Sequence, residues 1–112
     1  MNRGDVYQVR FDPVEGSEQG GTRPAVIVTR NSINQYSPVI MVTPFTDARN
    51  VIRSYPTNVL VRAPEGGLTV DSVALGVQTR VVSKSRLLSY KGTLSNTTMT
   101  QIDRALRICL NL

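Results

Sequence analysis

Within the stretch Gly16-Ser17-Glu18-Gln19-Gly20-Gly21-Thr22-Arg23-Pro24 the chain sets a carboxylate, an amide and a guanidinium close together in a turn. Three glycines let that backbone approach a ligand closely and reach φ > 0, at an entropy cost that a mere connector has no reason to carry. Two residues would have sufficed to join the flanking strands. The segment therefore reads as a loop that touches a polymer or a phosphate, against the plainer reading of a long hairpin loop with solvated polar residues. A second cluster, Thr46, Asp47, Arg49 and Arg53, falls in Phe45 to Pro56, the longest region without clear periodicity. It reads as a loop, either a basic wall beside a binding groove or an ordinary solvated surface.

The composition agrees with an anionic partner. Lys and Arg number 13 against 8 Asp and Glu, a net charge of +5, and only Lys84 and Lys91 are lysines. Arginine binds phosphate through two parallel hydrogen bonds and stacks on bases, so the bias leans towards nucleic acid. The basic residues are scattered, with no block that would read as a disordered tail. The chain has no histidine, which removes the usual general base and the His/Cys zinc site. One cysteine, Cys109, rules out an intrachain disulfide and fits a reducing compartment. The opening Met1-Asn2-Arg3-Gly4-Asp5 has no apolar run, and no segment is apolar enough to span a membrane, so a cytoplasmic protein is expected.

The elements that must hold these residues are mostly strands, in one domain covering 1–112. Val6 to Phe11 alternates in polarity, and Ala25 to Thr29, Val39 to Thr43 and Asn58 to Arg62 are β-branched runs bounded by turn residues. Val73 to Leu75 and Thr79 to Ser83 read as two further strands, or as one strand bent at Gly76. The period then changes. Met99, Ile102, Ala105, Leu106 and Cys109 form one apolar stripe of a helix that runs nearly to Leu112, with Ser95 or Thr98 as its cap and Thr98 with Gln101 as a capping box. So little chain with so many short strands predicts a mostly β, β-rich α+β fold, an SH3-like small barrel with a C-terminal α-helix.

Several blocks, in order along the whole chain, resemble the MazF/PemK family of toxin endoribonucleases. They are Arg3-Gly4-Asp5-Val6-Tyr7, Phe11-Asp12-Pro13, Gly16-Ser17-Glu18-Gln19-Gly20-Gly21, Arg23-Pro24-Ala25, Pro44-Phe45-Thr46, Gly67-Leu68 with Asp71-Ser72-Val73, Gln78 with Arg80, and Lys84-Ser85-Arg86-Leu87. The resemblance implies a toxin of a type II toxin–antitoxin pair, a CcdB/PemK-like barrel that cuts single-stranded RNA, usually mRNA, at short motifs with no metal and no cofactor. It also implies a homodimer, and a cognate antitoxin protein that blocks the RNA groove with an extended acidic segment; the net charge suits both anions.

By the same resemblance the catalytic residues are Arg23, Thr46 and Glu18. RNA can be cut by its own 2′-hydroxyl attacking the adjacent phosphate, if one proton is removed, the extra phosphate charge is stabilised and the leaving oxygen is protonated. Arg23 fits charge stabilisation, since a guanidinium gives up its proton only at great cost near neutral pH. Glu18 is the chemically sensible base, or else orients Arg23 or contacts RNA. Thr46 offers a hydroxyl to a non-bridging oxygen or relays a proton. Plainer alternatives are a rim ion pair between Arg23 and Glu18, and a turn cap at Thr46. RNA contacts are expected from Ser17, Gln19, Gly20, Ser72 and Gln78, with Arg49, Arg80 and Arg86 on phosphates, as is Arg53. Val77 stands where the family often has an acid and Gly76 where it has a larger aliphatic, so the cleavage motif does not transfer. Two rivals share the barrel: a CcdB-like topoisomerase poison, which would not need Glu18, Arg23 and Thr46 together, and a non-catalytic RNA-binding barrel.

Overall fold

A computed structural model describes all 112 residues. Seven strands, β1 (Asp5–Arg10), β2 (Thr22–Ile27), β3 (Val39–Asp47), β4 (Asn58–Val61), β5 (Ser72–Leu75), β6 (Arg80–Ser83) and β7 (Leu87–Thr93), are followed by the helix α2 (Asn96–Leu110); a short helix, α1 (Asn31–Asn34), precedes β3. All pairings are antiparallel, in the order β4-β5-β3-β2-β1-β7 with β6 also on β3. β3 organises the sheet. Its first half pairs β6 (Val42 opposite Arg80) and its second half pairs β5 (Phe45 opposite Ala74), while the other edge holds β2. The three-residue 3₁₀ turn Gly76–Gln78 lets β5 and β6 follow the bend of β3, the corner expected at Gly76.

Alternation along the strands sends side chains to two cores. Val6 and Val26 join Phe45, Val61, Met99 and Ile102 beneath α2, whereas Val9, Ala25, Ile27, Ile40 and Val42 pack on the opposite side with Phe11. Met99, Ile102 and Ala105 are the buried members of the helical stripe, and Ile102 alone withdraws enough apolar surface to stabilise the fold by about 2–3 kcal/mol.

Three local expectations are corrected. Phe45 to Asp47 is the end of β3 and not a loop, because Phe45 is buried in the core and keeps the strand paired to β5. β7 is a strand that the sequence pattern does not predict: it is an edge strand with no buried residue, so Leu87 to Thr93 lacks the alternation that marks a half-buried strand. The helix cap is Ser95, whose hydroxyl accepts from Thr98 N–H, while Thr98 lies inside the first turn and does not cap. The helix stops at Leu110, and Asn111 takes the left-handed conformation that turns the chain out.

The sheet is not closed. β4 and β7 share no ladder, and the gap between them is filled by Gly66-Gly67 lying directly against Lys91 and Gly92. Glu65 at the start of this turn accepts hydrogen bonds from Ser95 N–H at 3.1 Å and Ser95 Oγ at 3.3 Å, tying the filler to the helix N-terminus. Burial by itself would raise the Glu65 pKa, but hydrogen bonds from Thr98 and Ser95 outweigh it and hold the carboxyl below its ordinary range. With the folded pKa lowered, the stabilising contribution is complete above the ordinary carboxylate pKa and is lost as pH falls through the folded value. Glu65→Gln should therefore flatten the decline of melting temperature below about pH 4.5; an unchanged acid limb would show the carboxylate contributes nothing.

Candidate active site

Arg23 and Thr46 come together because β2 and β3 are neighbours. Their ladder ends with Ala25 opposite Pro44, and the same register carried two positions further sets Arg23 across from Thr46. Pro24 and Pro44 supply no N–H near this end of the sheet, and Arg23 is held there by two carbonyls: its Nε donates to Gly20 O at 2.9 Å and its Nη1 to Phe45 O at 3.3 Å. The guanidinium makes no ion pair; the three salt bridges of the chain are Arg3–Asp103, Arg49–Asp47 and Arg62–Asp71. A half-buried cation held only by backbone carbonyls keeps its full charge for an incoming anion.

It faces a cleft of about 250 Å³ lined also by Thr46, Asn50, Thr69 and Ser72. Thr46 Oγ1 accepts from Asn50 Nδ2 at 3.3 Å, so its lone pairs are partly engaged and its proton remains available to a phosphate oxygen. Ser72 is buried, and its hydroxyl donates to Val70 O at 2.9 Å. Asp47 also borders the cleft, but Arg49 donates to it from both side chain and backbone, holding its carboxyl down at about 2. So weak a base cannot take a proton from a hydroxyl near neutrality. The same contact occupies the Arg49 fork.

Glu18 stands apart from the cleft. It is exposed, and its Oε1 accepts from Glu15 N–H at 2.6 Å, closing a turn within its own loop. The structure does not bring it to Arg23, either as a partner or as a neighbouring base. Gln78 reaches across to that loop instead, its Oε1 accepting from Gln19 N–H at 3.3 Å and its Nε2 donating to Ser17 O at 3.2 Å. Arg80 and Arg86 brace the loop's foot: Arg80 Nη1 donates to Phe11 O at 3.4 Å with its guanidinium over the Phe11 ring, and Arg86 Nη1 donates to Arg10 O and Asp12 O. Asp12 in turn accepts from Gly21 N–H at 2.9 Å.

Over residues 2–110 the sequence matches the family described as PemK-like, MazF-like toxin of type II toxin-antitoxin system. The chain belongs to that family. It is 42% identical to the endoribonuclease MazF of Staphylococcus epidermidis, over the whole of this chain and 92% of the relative. Among solved structures it is similar to a mycobacterial endoribonuclease in complex with its cognate antitoxin, at 25% identity and a TM-score of 0.82 over 100% of this chain and 96% of the other. MazF of Deinococcus radiodurans shares the fold at 24% identity and a TM-score of 0.84, over 100% and 97%.

Within this MazF-like chain, Asn50 and Thr69 are cleft residues that sequence reasoning missed. Neither carries a periodicity or a charge that would mark it, and Asn50 meets Thr46 only because the 3₁₀ turn Ala48–Asn50 folds back after β3. No three Cys, Asp or Glu side chains converge as metal ligands would. Cys109 lies away from the cleft, half-buried beside the end of α2, where burial pushes its thiol pKa up and keeps it un-ionised.

Proposed function

We propose that this MazF-like chain is the toxin of a type II toxin–antitoxin pair and cuts single-stranded RNA, chiefly mRNA, at a short sequence motif without a metal or a cofactor. The observation that carries this reading is the meeting of Arg23 and Thr46 in one cleft. In the reaction the RNA 2′-oxygen bonds to the adjacent phosphorus as its proton passes to water, and the P–O5′ bond breaks as the leaving 5′ oxygen takes a proton from water. The products are a 2′,3′-cyclic phosphate and a 5′-hydroxyl, so the protein need supply no nucleophile. Arg23 stabilises the charge that gathers on the phosphate, and Thr46 donates its hydroxyl to a non-bridging oxygen. Glu18 becomes the base only if RNA draws the loop out of the turn that now holds its carboxylate.

Around the reacting phosphate, Ser17, Gln19 and Gly20 offer backbone and side-chain groups to unpaired bases, and Ser72 lines the cleft floor. Arg80 and Arg86 present positive charge along the loop's foot, whereas Arg49 must leave Asp47 before it can hold a phosphate.

A homodimer is part of this proposal. Met41 and Val81 sit opposite each other on β3 and β6, both exposed, and Val77 and Leu110 extend the same apolar face to the end of α2. A face of that kind is usually covered by protein, here by a second copy. An antitoxin with an extended acidic segment would occupy the RNA groove by charge complementarity. The proposed place of action is the cytoplasm. No helix is long and apolar enough to cross a membrane.

The test is incubation of the purified protein with long single-stranded RNA in EDTA, followed by mapping of the new 5′ ends. Discrete cuts at a shared motif are expected. Thr46→Val, which keeps the shape and deletes the hydroxyl, should slow them about 10–100-fold. Intact RNA would favour a topoisomerase poison or a binding-only barrel, and unchanged turnover in the variant would reduce Thr46 to a structural role.

A further inference from the structure

Residues 16–20 are tied to the body of the molecule by very few hydrogen bonds. Beyond the local turn with Glu15, they are the two made by Gln78 to Gln19 N–H and Ser17 O, and the one from Arg23 Nε to Gly20 O. Gln78 and Arg23 thus hold the same short piece of backbone from opposite ends. Gly20 packs closely on its surroundings, since a Cβ there would stand 2.9 Å from both Asp12 Oδ1 and Val14 Cγ2. Where the latched backbone puts the Gly20 carbonyl, it therefore sets the direction of the Arg23 guanidinium.

We infer that Gln78 is a positioning residue for Arg23, acting through the backbone of the loop. The inference rests on the proposed nuclease reading for its kinetic consequences, but not for its structural one. Both polar ends of the Gln78 amide are engaged with main-chain groups, so in the free protein neither reads a base. Gln78 sits in the 3₁₀ turn between β5 and β6, which is fixed in turn by pairing of both strands to β3. The strand that carries Thr46 therefore also anchors the latch that aims Arg23.

The experiment compares wild type, Gln78→Ala, Arg23→Ala and the double variant in two measurements. Amide exchange at Gln19 should accelerate in Gln78→Ala with the rest of the sheet unchanged, whether or not the protein cuts RNA. In the cleavage assay, kcat should fall about tenfold with KM and the cut sites retained, and Gln78→Ala should cause no further loss in the Arg23→Ala background, since nothing is left to aim. Unchanged exchange at Gln19 would overturn the latch. A shifted cleavage motif with kcat retained would overturn positioning in favour of base reading, as would additive losses in the double variant. Absence of cleavage by wild type would count against the nuclease reading alone, because the exchange measurement still decides whether the latch exists.

Discussion

Arg23→Ala will lose RNA cleavage by at least about 10²–10³-fold while melting close to wild type. The first half follows from the electrostatics. Removing one preorganised donor from a site where negative charge accumulates typically costs that factor, and Arg23 brings a full charge rather than a dipole. The second half follows from what Arg23 holds. Its partners are two carbonyls at the rim of a cleft, and water can reach both once the side chain is gone. Stability should shift by no more than about 1 kcal/mol. Arg23→Lys keeps the charge but not the fork that spans Gly20 O and Phe45 O, so it should fall between alanine and wild type. Cleavage at the wild-type rate by the alanine variant would remove Arg23 from the chemistry. A large drop in melting temperature would instead make it a structural residue.

The second large effect concerns the unclosed side of the sheet. Gly67→Ala should destabilise the fold by about 3 kcal/mol or more, because a Cβ at that position would lie 2.0 Å from Lys91 O and 2.6 Å from its carbonyl carbon. Neither atom is the free end of a side chain. Relief requires β7 to move away from the filler, breaking the seal over Leu94 and Val6, which lie against Gly66. Gly21→Ala is the control. Its φ of +71° resembles the +72° of Gly67, but nothing lies within 4 Å of the added methyl, so only the backbone strain of about 1 kcal/mol is incurred. Urea denaturation of the two variants separates crowding from conformation, and equal losses would show that the close approach is not what matters at Gly67.

How far the sequence spoke for itself differs between elements. Met99, Ile102 and Ala105 announced α2 because their spacing and their burial have one cause, packing against the sheet. β7 announced nothing, since an edge strand with both faces partly wet obeys no alternation. In the sequence β3 reads as ending at Thr43, because Pro44 has the look of a strand end, although the buried Phe45 and the pairing of Phe45 to Asp47 with β5 carry it on. The site shows the same division. Arg23 and Thr46 were legible through a family resemblance and meet in space, as a shared register requires. Glu18 comes from the same resemblance, which carries no sign of the turn in which its carboxylate accepts from Glu15 N–H. The pairing of Asp47 with Arg49, two residues apart, has no signature of its own in the sequence, where the same residues read equally as a basic wall or as a solvated surface.

Every hydrogen bond that ties residues 16–20 to the body of the molecule, from Gln78 to Ser17 O and Gln19 N–H and from Arg23 to Gly20 O, is made with their main chain. The side chains of Ser17 and Gln19 take no part in holding it. Natural variation or deliberate engineering at those two positions can consequently change what the loop meets without loosening what aims the guanidinium. Under the proposed function, target preference and catalytic power would thereby be separable traits in this scaffold, open to being altered one at a time.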